Sequence, residues 1–407
     1  MASDHIVAAL DIGTTKIVAL VGEMDDKGDL YVIGHGQAPA EGLRRGVVVD
    51  MDKTSRSIRK AIDDAQMVSG TEIDRVTVGI AGEHVRSINS HGVIAVSRSD
   101  NEITLADMEK AVDAARAVAI PVDREIIHVI PQEYSVDDQT GIKHPAGMTG
   151  VRLEVEAHLV TASITTAKNI YRALERCHIT ADHIVLESLA LSNVLLTEAE
   201  MSIGTLMVDI GGDITSLALF YDGAIRNTAT VPLGGRNITN DIAIGLRTTL
   251  EQAEELKIIH GAALASTVDA EELVNVQGIA GRASRDISRN VLASIIEPRM
   301  EEILSLVARE LKKIHRSDSP GAGLVLTGGG SMLSGAMELA EQIFDMPVRL
   351  GRVNGFSHVP EEINNGRYAT AHGLLVYGFS NEAQAIASGR SVRGIWRKLE
   401  NWITKRF

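Results

Sequence analysis

The stretch IVAALDIGTTKIVALV, residues 6–21, decides how the chain is read. An apolar, β-branched run delivers Asp11 into a turn of Gly13, Thr14, Thr15 and Lys16, and a second apolar run follows. The run after the turn reads as a strand, and the spacing is D-x-G-T-T rather than G-x-G-x-x-G, which argues against a dinucleotide fingerprint. Small residues let phosphate oxygens approach backbone N–H groups, and Lys16 adds a cation. Asp11 would repel a bare phosphate, so its sensible role is to hold water on Mg2+. Alone, the same turn also suits an ordinary polar hairpin. The pattern returns at residues 205–221, TLMVDIGGDITSLALFY, where a strand delivers Asp209 into Gly211, Gly212 and Thr215 and another strand follows.

The 407 residues leave room for several domains, and 44% apolar residues can fill their cores. With 40 basic against 54 acidic side chains the body does not suit a nucleic-acid backbone, so no nucleic-acid partner is expected. One cysteine, Cys177, fits a reducing compartment. The N-terminus lacks a basic leader and no apolar run approaches 18 residues, so neither export nor a membrane span is expected.

Between the two turns, the pattern predicts a helix over 54–68 with Ile58, Ile62, Ala65 and Met67 inward. Residues 84–159 read as a small α+β insertion: a hairpin-like segment at 88–96, a helix capped by Thr104, and strands at 126–130 and 153–160. Pro131 is expected to open a polar loop. Glu187 stands where a strand meets a helix. It is either a common helix N-terminal carboxylate or, as the only catalytic candidate, an acid facing a nucleotide. After the second turn, Glu254 and Lys257 lie three apart on a predicted helix over 250–259, placed to grip a ribose and base or simply to pair on the surface. A helix over 300–315 leads to the buried strand LVLT and then Gly328, Gly329, Gly330 and Ser331. Three successive glycines cost roughly 0.5–1 kcal/mol each to order, and a flat group lying on bare backbone would explain them.

The order Asp turn, insertion, Asp turn, Glu-x-x-Lys helix, strand–GGG resembles the superfamily of actin, the heat-shock chaperones and the sugar kinases. Within it, the chain is most similar to the bacterial cell-division family FtsA, over essentially its whole length. The stretches IIHVIPQEYSVD (126–137), GMTGVRLEVEAHLV (147–160), AEELKIIHGAA (253–263), IIEPR (295–299) and LVLTGGGS (324–331) carry that likeness. The resemblance implies an α/β, actin-like fold: two ribonuclease-H-like domains around a nucleotide cleft, with a small α+β domain inserted in the first half. Its subdomains would be 1A (1–83, 160–203, 356–380), 1C (84–159), 2A (204–235, 294–355) and 2B (236–293). ATP and Mg2+ are the implied cofactors. Asp11 to Lys16 and Asp209 to Thr215 would hold phosphates, Asp11 and Asp209 the magnesium through water, Glu254 with Lys257 the nucleoside, and Gly328 to Ser331 the adenosine. One departure stands out. The family's second loop usually reads D-x-G-G-G-T, and Asp213 here replaces the third glycine. A carboxylate beside the γ-phosphate would repel it unless Mg2+ or an outward orientation offsets this, which puts hydrolysis rather than binding in question.

Residues 381–393 read as a polar linker, and 394–407 as a helix holding both tryptophans. At helical spacing Ile395, Trp396, Leu399, Trp402, Ile403 and Phe407 share one face, while Arg397, Lys398 and Lys405 lie on the other. That pattern suits an anionic membrane surface. The resemblance implies a peripheral protein on the cytoplasmic side of the cell membrane at the division site. It would tether filaments of the tubulin-like FtsZ through FtsZ's C-terminal tail, with Arg285, Arg289 and Arg299 as contacts. It would also polymerise with itself and recruit later division proteins through 1C. A pilus-type actin-like scaffold or a small-molecule kinase on the same fold are the alternatives.

Overall fold

The computed structural model describes residues 6–278, 283–314 and 320–387, with side chains to 380. The first half opens with β1 (Ile6–Ile12), β2 (Lys16–Met24) and β3 (Leu30–Pro39), a hairpin of β4 (Leu43–Arg44) and β5 (Val47–Val48), α1 (Met51–Ser69) and β6 (Arg75–Ile80). The insertion supplies β7 (Arg86–Ala95), α2 (Leu105–Arg116), β8 (Arg124–Val136), β9 (Gln139–Ile142) and β10 (Arg152–Ser163). The chain returns through α3 (Ile164–Glu175), β11 (Thr180–Leu186), α4 (Glu187–Leu195) and α5 (Glu198–Ile203). The second half contains β12 (Thr205–Ile210), β13 (Thr215–Tyr221), β14 (Ala224–Val231), α6 (Gly235–Leu246), α7 (Leu250–His260), β15 (Leu273–Val276) and β16 (Arg285–Ser288). It closes with α8 (Arg289–Ile314), β17 (Leu324–Thr327), a 3-10 turn (Gly329–Met332), α9 (Ala336–Phe344), β18 (Val348–Leu350) and α10 (Ala369–Ala387).

Two five-stranded sheets carry the same wiring. The first runs β11-β6-β1-β2-β3 and the second β14-β13-β12-β17-β18. In each, the Asp-bearing strand pairs antiparallel with the strand after its turn and parallel with a later one. Both faces of each central strand are buried, which is why β1 and β12 read as near-continuous apolar runs. Separate apolar clusters fill the first half, the insertion and the second half, and a smaller one, including Leu191, Leu195, Met207 and Phe220, joins the halves. This is the actin-like fold, with two ribonuclease-H-like domains and an inserted α+β domain.

Several local expectations need correction. Met67 is 81% exposed, because the buried stripe of α1 follows Ile58, Ala61, Ile62 and Ala65 and Met67 lies outside it. Residues 86–95 form one strand rather than a hairpin. β8 runs straight through Pro131 and pairs with β10 across a bulge at Glu156/Ala157, which accommodates the missing N–H. α8 likewise begins at Arg289 and passes through Pro298, held by buried Leu292, Ile296 and Met300 on one stripe. α10 continues to Ala387, into the segment expected as a linker. The rest of that segment and the whole of 394–407, with Ile395, Trp396, Arg397, Lys398, Leu399, Trp402, Ile403, Lys405 and Phe407, lie outside the described residues. No helix among the described residues is long and apolar enough to cross a membrane.

The inserted domain also docks on the edge strand β14 of the second half. Gln132 Nε2 donates to Ile225 O at 2.8 Å, Asn89 Nδ2 to Arg226 O at 3.1 Å, and Ser87 Oγ to Thr228 O at 3.0 Å. Fully buried His158 bridges Asn89 Oδ1 (2.7 Å) and Thr228 Oγ1 (3.1 Å). Burial pushes His158 down to about 4, and His84, His128 and His372 are lowered to a similar value for the same reason. An unfolded histidine takes a proton below about 6.5. Between about 6.5 and about 4 the unfolded chain therefore binds more protons than the folded one, and stability falls as pH drops through that window. For His158 the loss between pH 7 and pH 5 is about 2 kcal/mol. We expect the thermal midpoint to fall over that interval, and a His158→Gln variant to lose less; an equal loss would remove His158 from the account.

A candidate nucleotide cleft between two aspartate turns

The turns after β1 and β12 meet: Asp213 N–H donates to Thr14 Oγ1 at 3.0 Å. Asp11 is buried at the end of β1, and Asp209 sits at the matching place on β12 with part of its surface open. Glu187 opens α4 at the end of β11, beside Gly79, and also keeps part of its surface open. Protein atoms crowd all three acids on their other sides. Burial pushes Asp11 up to about 6, with Lys16 partly opposing. Asp209 is pushed up to about 7 by burial and by Asp11. Glu187 is held well above the usual carboxylate range by burial, then by the charges of Asp11 and Asp209. Three carboxylates thus repel one another across a single cleft.

The cations there are under the opposite stress. Lys16 Nζ is buried without a hydrogen-bond partner and lies 3.5 Å over the Tyr368 ring. Burial and the neighbouring Arg367 lower Lys16 to about 7, with Asp11 opposing. Lys257 is lowered by burial and by Arg236 and Arg367, against the pull of Glu254. A cleft that crowds acids and cations, with one ammonium left without a hydrogen-bond partner, has the donor set for a phosphate carrying a divalent ion.

The glycines set how close the walls approach. A Cβ on Gly212 would run into the Thr15 methyl, so the two turns touch at that point. Gly328 has φ 84° and ψ 172°, a region open only to glycine, and a Cβ there would run into the Asp209 carboxylate and Ile210 O. Of the glycine run, Gly330 and Ser331 are buried and Gly329 is exposed beside Arg367. Ser331 Oγ donates to Gly328 O at 2.7 Å, so it braces the turn rather than lining the cleft.

The structure brings Asp11, Gly13, Thr14, Thr15, Lys16, Glu187, Asp209, Gly211, Gly212, Gly328 and Gly329 around one space. Thr215 departs from the expectation: it is fully buried in β13 and its hydroxyl donates to Leu233 O at 2.9 Å. Glu254 and Lys257 pair at 2.6 Å, and Lys257 also donates to Gly235 O (3.1 Å) and Thr239 Oγ1 (2.9 Å). They brace the start of α6, whose Gly235 and Arg236 N–H groups donate to Gly211 O (2.9 Å) and Gly212 O (2.8 Å). Asp213 does not turn out to solvent: its side chain is 7% exposed and lies between the two turns. Its Oδ1 is 3.0 Å from Arg236 Nε and its Oδ2 accepts from Arg45 N–H at 2.9 Å, so its charge faces a guanidinium.

The sequence pattern does not single out Arg236, Arg367 or Tyr368 as site residues. Arg236 follows the pair Gly234-Gly235, a helix-start signal that could have been read; Arg367 and Tyr368 carry no motif. Away from the cleft, Arg285 donates to Leu246 O (2.7 Å) and Arg289 to His260 O and Glu272 (both 2.8 Å). Arg299 grips Asp241 (2.6 and 3.2 Å) and Glu302.

Over its full length the chain is 44% identical to the cell division protein FtsA of Pseudomonas aeruginosa, covering 99% of that protein. The chain belongs to the FtsA family of cell-division proteins. The FtsA of Escherichia coli is 36% identical over 99% of this chain and 98% of that protein. The family model "Cell division protein FtsA" matches residues 206–373, and "SHS2 domain inserted in FTSA" matches 82–161, the span of the inserted domain. Among solved structures, the PilM–PilN type IV pilus biogenesis complex is similar in fold, with TM-score 0.66 and 18% identity over 92% of this chain and 98% of that one. MreB5 of Spiroplasma citri bound to ADP gives TM-score 0.56 and 12% identity over 94% and 98%. Those two likenesses concern the fold; membership of the FtsA family rests on the near full-length relatives.

Proposed function

We propose that this FtsA-family chain binds ATP with Mg2+ between its two aspartate turns and uses the ATP-bound state to build a membrane-bound division scaffold. The observation that carries the reading is the convergence of Asp11, Glu187 and Asp209 beside Lys16, whose ammonium has no hydrogen-bond partner. Mg2+ would neutralise the acids, and phosphate oxygens would pair Lys16 and lie on the backbone of Gly13 to Thr15 and Gly211 to Gly212. Among the described residues no three His, Cys, Asp or Glu side chains stand close enough to enclose a metal ion, so water and phosphate oxygens would complete its shell around Asp11 and Asp209. Gly329, exposed beside Arg367, offers bare backbone to the adenosine. Glu187 would orient an attacking water.

The tail 394–407 would hold the protein on the anionic cytoplasmic face of the membrane. The FtsZ tail, which carries acidic and apolar residues, would dock on residues 236–293. Arg285 is the best placed of the three arginines for that contact, being exposed, whereas Arg299 is already committed to Asp241 and Glu302. Later division proteins would meet the inserted domain. Sedimentation with anionic vesicles, with and without ATP–Mg2+ and FtsZ, tests the whole reading. Full-length protein should pellet, bring FtsZ with it and do so more strongly with ATP, and a chain ending at 393 should stay in solution. Pelleting unaffected by loss of the tail, or by nucleotide, would contradict it.

A further inference from the structure

The two turns of the cleft are tied directly to one another, and Asp213 is the knot. Its N–H donates to Thr14 Oγ1 at 3.0 Å, its Oδ2 accepts from Arg45 N–H at 2.9 Å, and its Oδ1 pairs with Arg236 Nε at 3.0 Å. Arg236 Nη2 also donates to Thr14 O at 2.6 Å. Residues from the first half (Thr14, Arg45) and the second (Asp213, Arg236) thus form one small network, and the Asp213 side chain within it is 7% exposed. Arg45 is bent to serve it. It and Gly46 form the two-residue turn between β4 and β5 with φ 50° and 78°, the primed-turn pattern, and a non-glycine residue in that conformation is uncommon. The N–H that reaches Asp213 leaves from that turn.

This network and a phosphate shared by the two turns compete for the same donors. A phosphate group held by donors on both sides needs each donor about 2.9 Å from its own oxygen, which sets the donors roughly 5 Å or more apart. Here Thr14 Oγ1 and Asp213 N are in direct hydrogen bond, and Gly212 is against the Thr15 methyl. We propose that Asp213 is a latch that ties the two turns and selects against a third phosphate: its carboxylate occupies the donors that Arg236 and the Arg45 N–H would otherwise offer a γ-phosphate. A nucleoside triphosphate must separate Thr14 from Asp213 to span both turns. A diphosphate reaching only the first turn need not. The phosphate-discrimination part rests on the nucleotide reading above; the latch itself does not.

The test uses full-length protein and two latch variants, Asp213→Asn and Asp213→Gly, each checked for native circular dichroism. Small-angle scattering without nucleotide should show a larger radius of gyration in Asp213→Gly, which loses the Arg45 bond and the Arg236 pair, and a smaller rise in Asp213→Asn, which keeps a side-chain oxygen for the Arg45 N–H. Titration with fluorescent ATP and ADP should show the ATP-to-ADP affinity ratio rising about tenfold in Asp213→Asn. An unchanged radius in both variants would overturn the latch. A ratio that stays constant or falls would overturn the selection against a third phosphate. If wild type and variants bind neither nucleotide, the nucleotide reading fails, and the scattering result still decides the latch.

Discussion

Lys16→Met should make the nucleotide-free protein more stable while removing most of its affinity for ATP. The ammonium of Lys16 is buried, lacks a hydrogen-bond partner, and is lowered to about 7 by desolvation and by Arg367. Holding a lysine in that state costs folding free energy, because the unfolded chain hydrates the charge. Met fills a similar volume without a charge, and the Tyr368 ring that now lies under Nζ can pack against its thioether. The gain should be a few kcal/mol, moderated by the lost counter-charge for Asp11. The same change deletes a charge-assisted phosphate contact, worth about 1.5–3 kcal/mol or roughly 10- to 100-fold in affinity. Thermal melting and a nucleotide titration on one preparation check both parts. A variant that melts lower and still binds ATP normally would show that Lys16 is structural.

Gly328→Ala should be among the most damaging single methyl additions in the chain. Gly328 adopts φ 84° and ψ 172°, and its added Cβ would run into the Asp209 carboxylate and the Ile210 carbonyl. Strain of roughly 1–3 kcal/mol adds to an overpacking cost of similar size, about 3–5 kcal/mol together. That lowers the thermal midpoint by on the order of 10 °C. The neighbouring Gly329→Ala is the control: only the Arg367 side chain lies near its Cβ position, at 3.8 Å, so stability should change by less than about 1 kcal/mol. Equal losses at both positions would mean that the glycine run is a generic turn rather than a close approach to Asp209.

The fold was legible because its signal is local and repeated. A buried strand ending in Asp, a glycine turn and a second buried strand occur at both Asp11 and Asp209, and the two sheets then assemble with identical wiring. The insertion was legible too, because Thr104 and Asp107 form a capping box and β10 is a long alternating strand. Local rules failed where distant packing outweighed them. Pro131 and Pro298 sit inside regular elements because a bulge and a buried stripe absorb the cost. At the site, residues of the right chemistry were found, but their partners were not. Thr215 faces Leu233 O, Glu254 and Lys257 serve α6, and Asp213 bonds to Arg45, 168 residues away. No spacing rule connects positions that far apart. Arg367 and Tyr368 reach the cleft only because α10 returns to pack on the first sheet.

Calorimetric titration of ATP into the full-length protein, with Mg2+ and then with Mg2+ removed by chelation, tests the central claim most directly. Three mutually repelling acids around one cleft predict a single saturable site whose affinity falls at least tenfold when the divalent ion is taken away. Binding that ignores Mg2+, or the absence of any saturable site, would contradict the account of Asp11, Glu187 and Asp209 as facing acids of one nucleotide cleft.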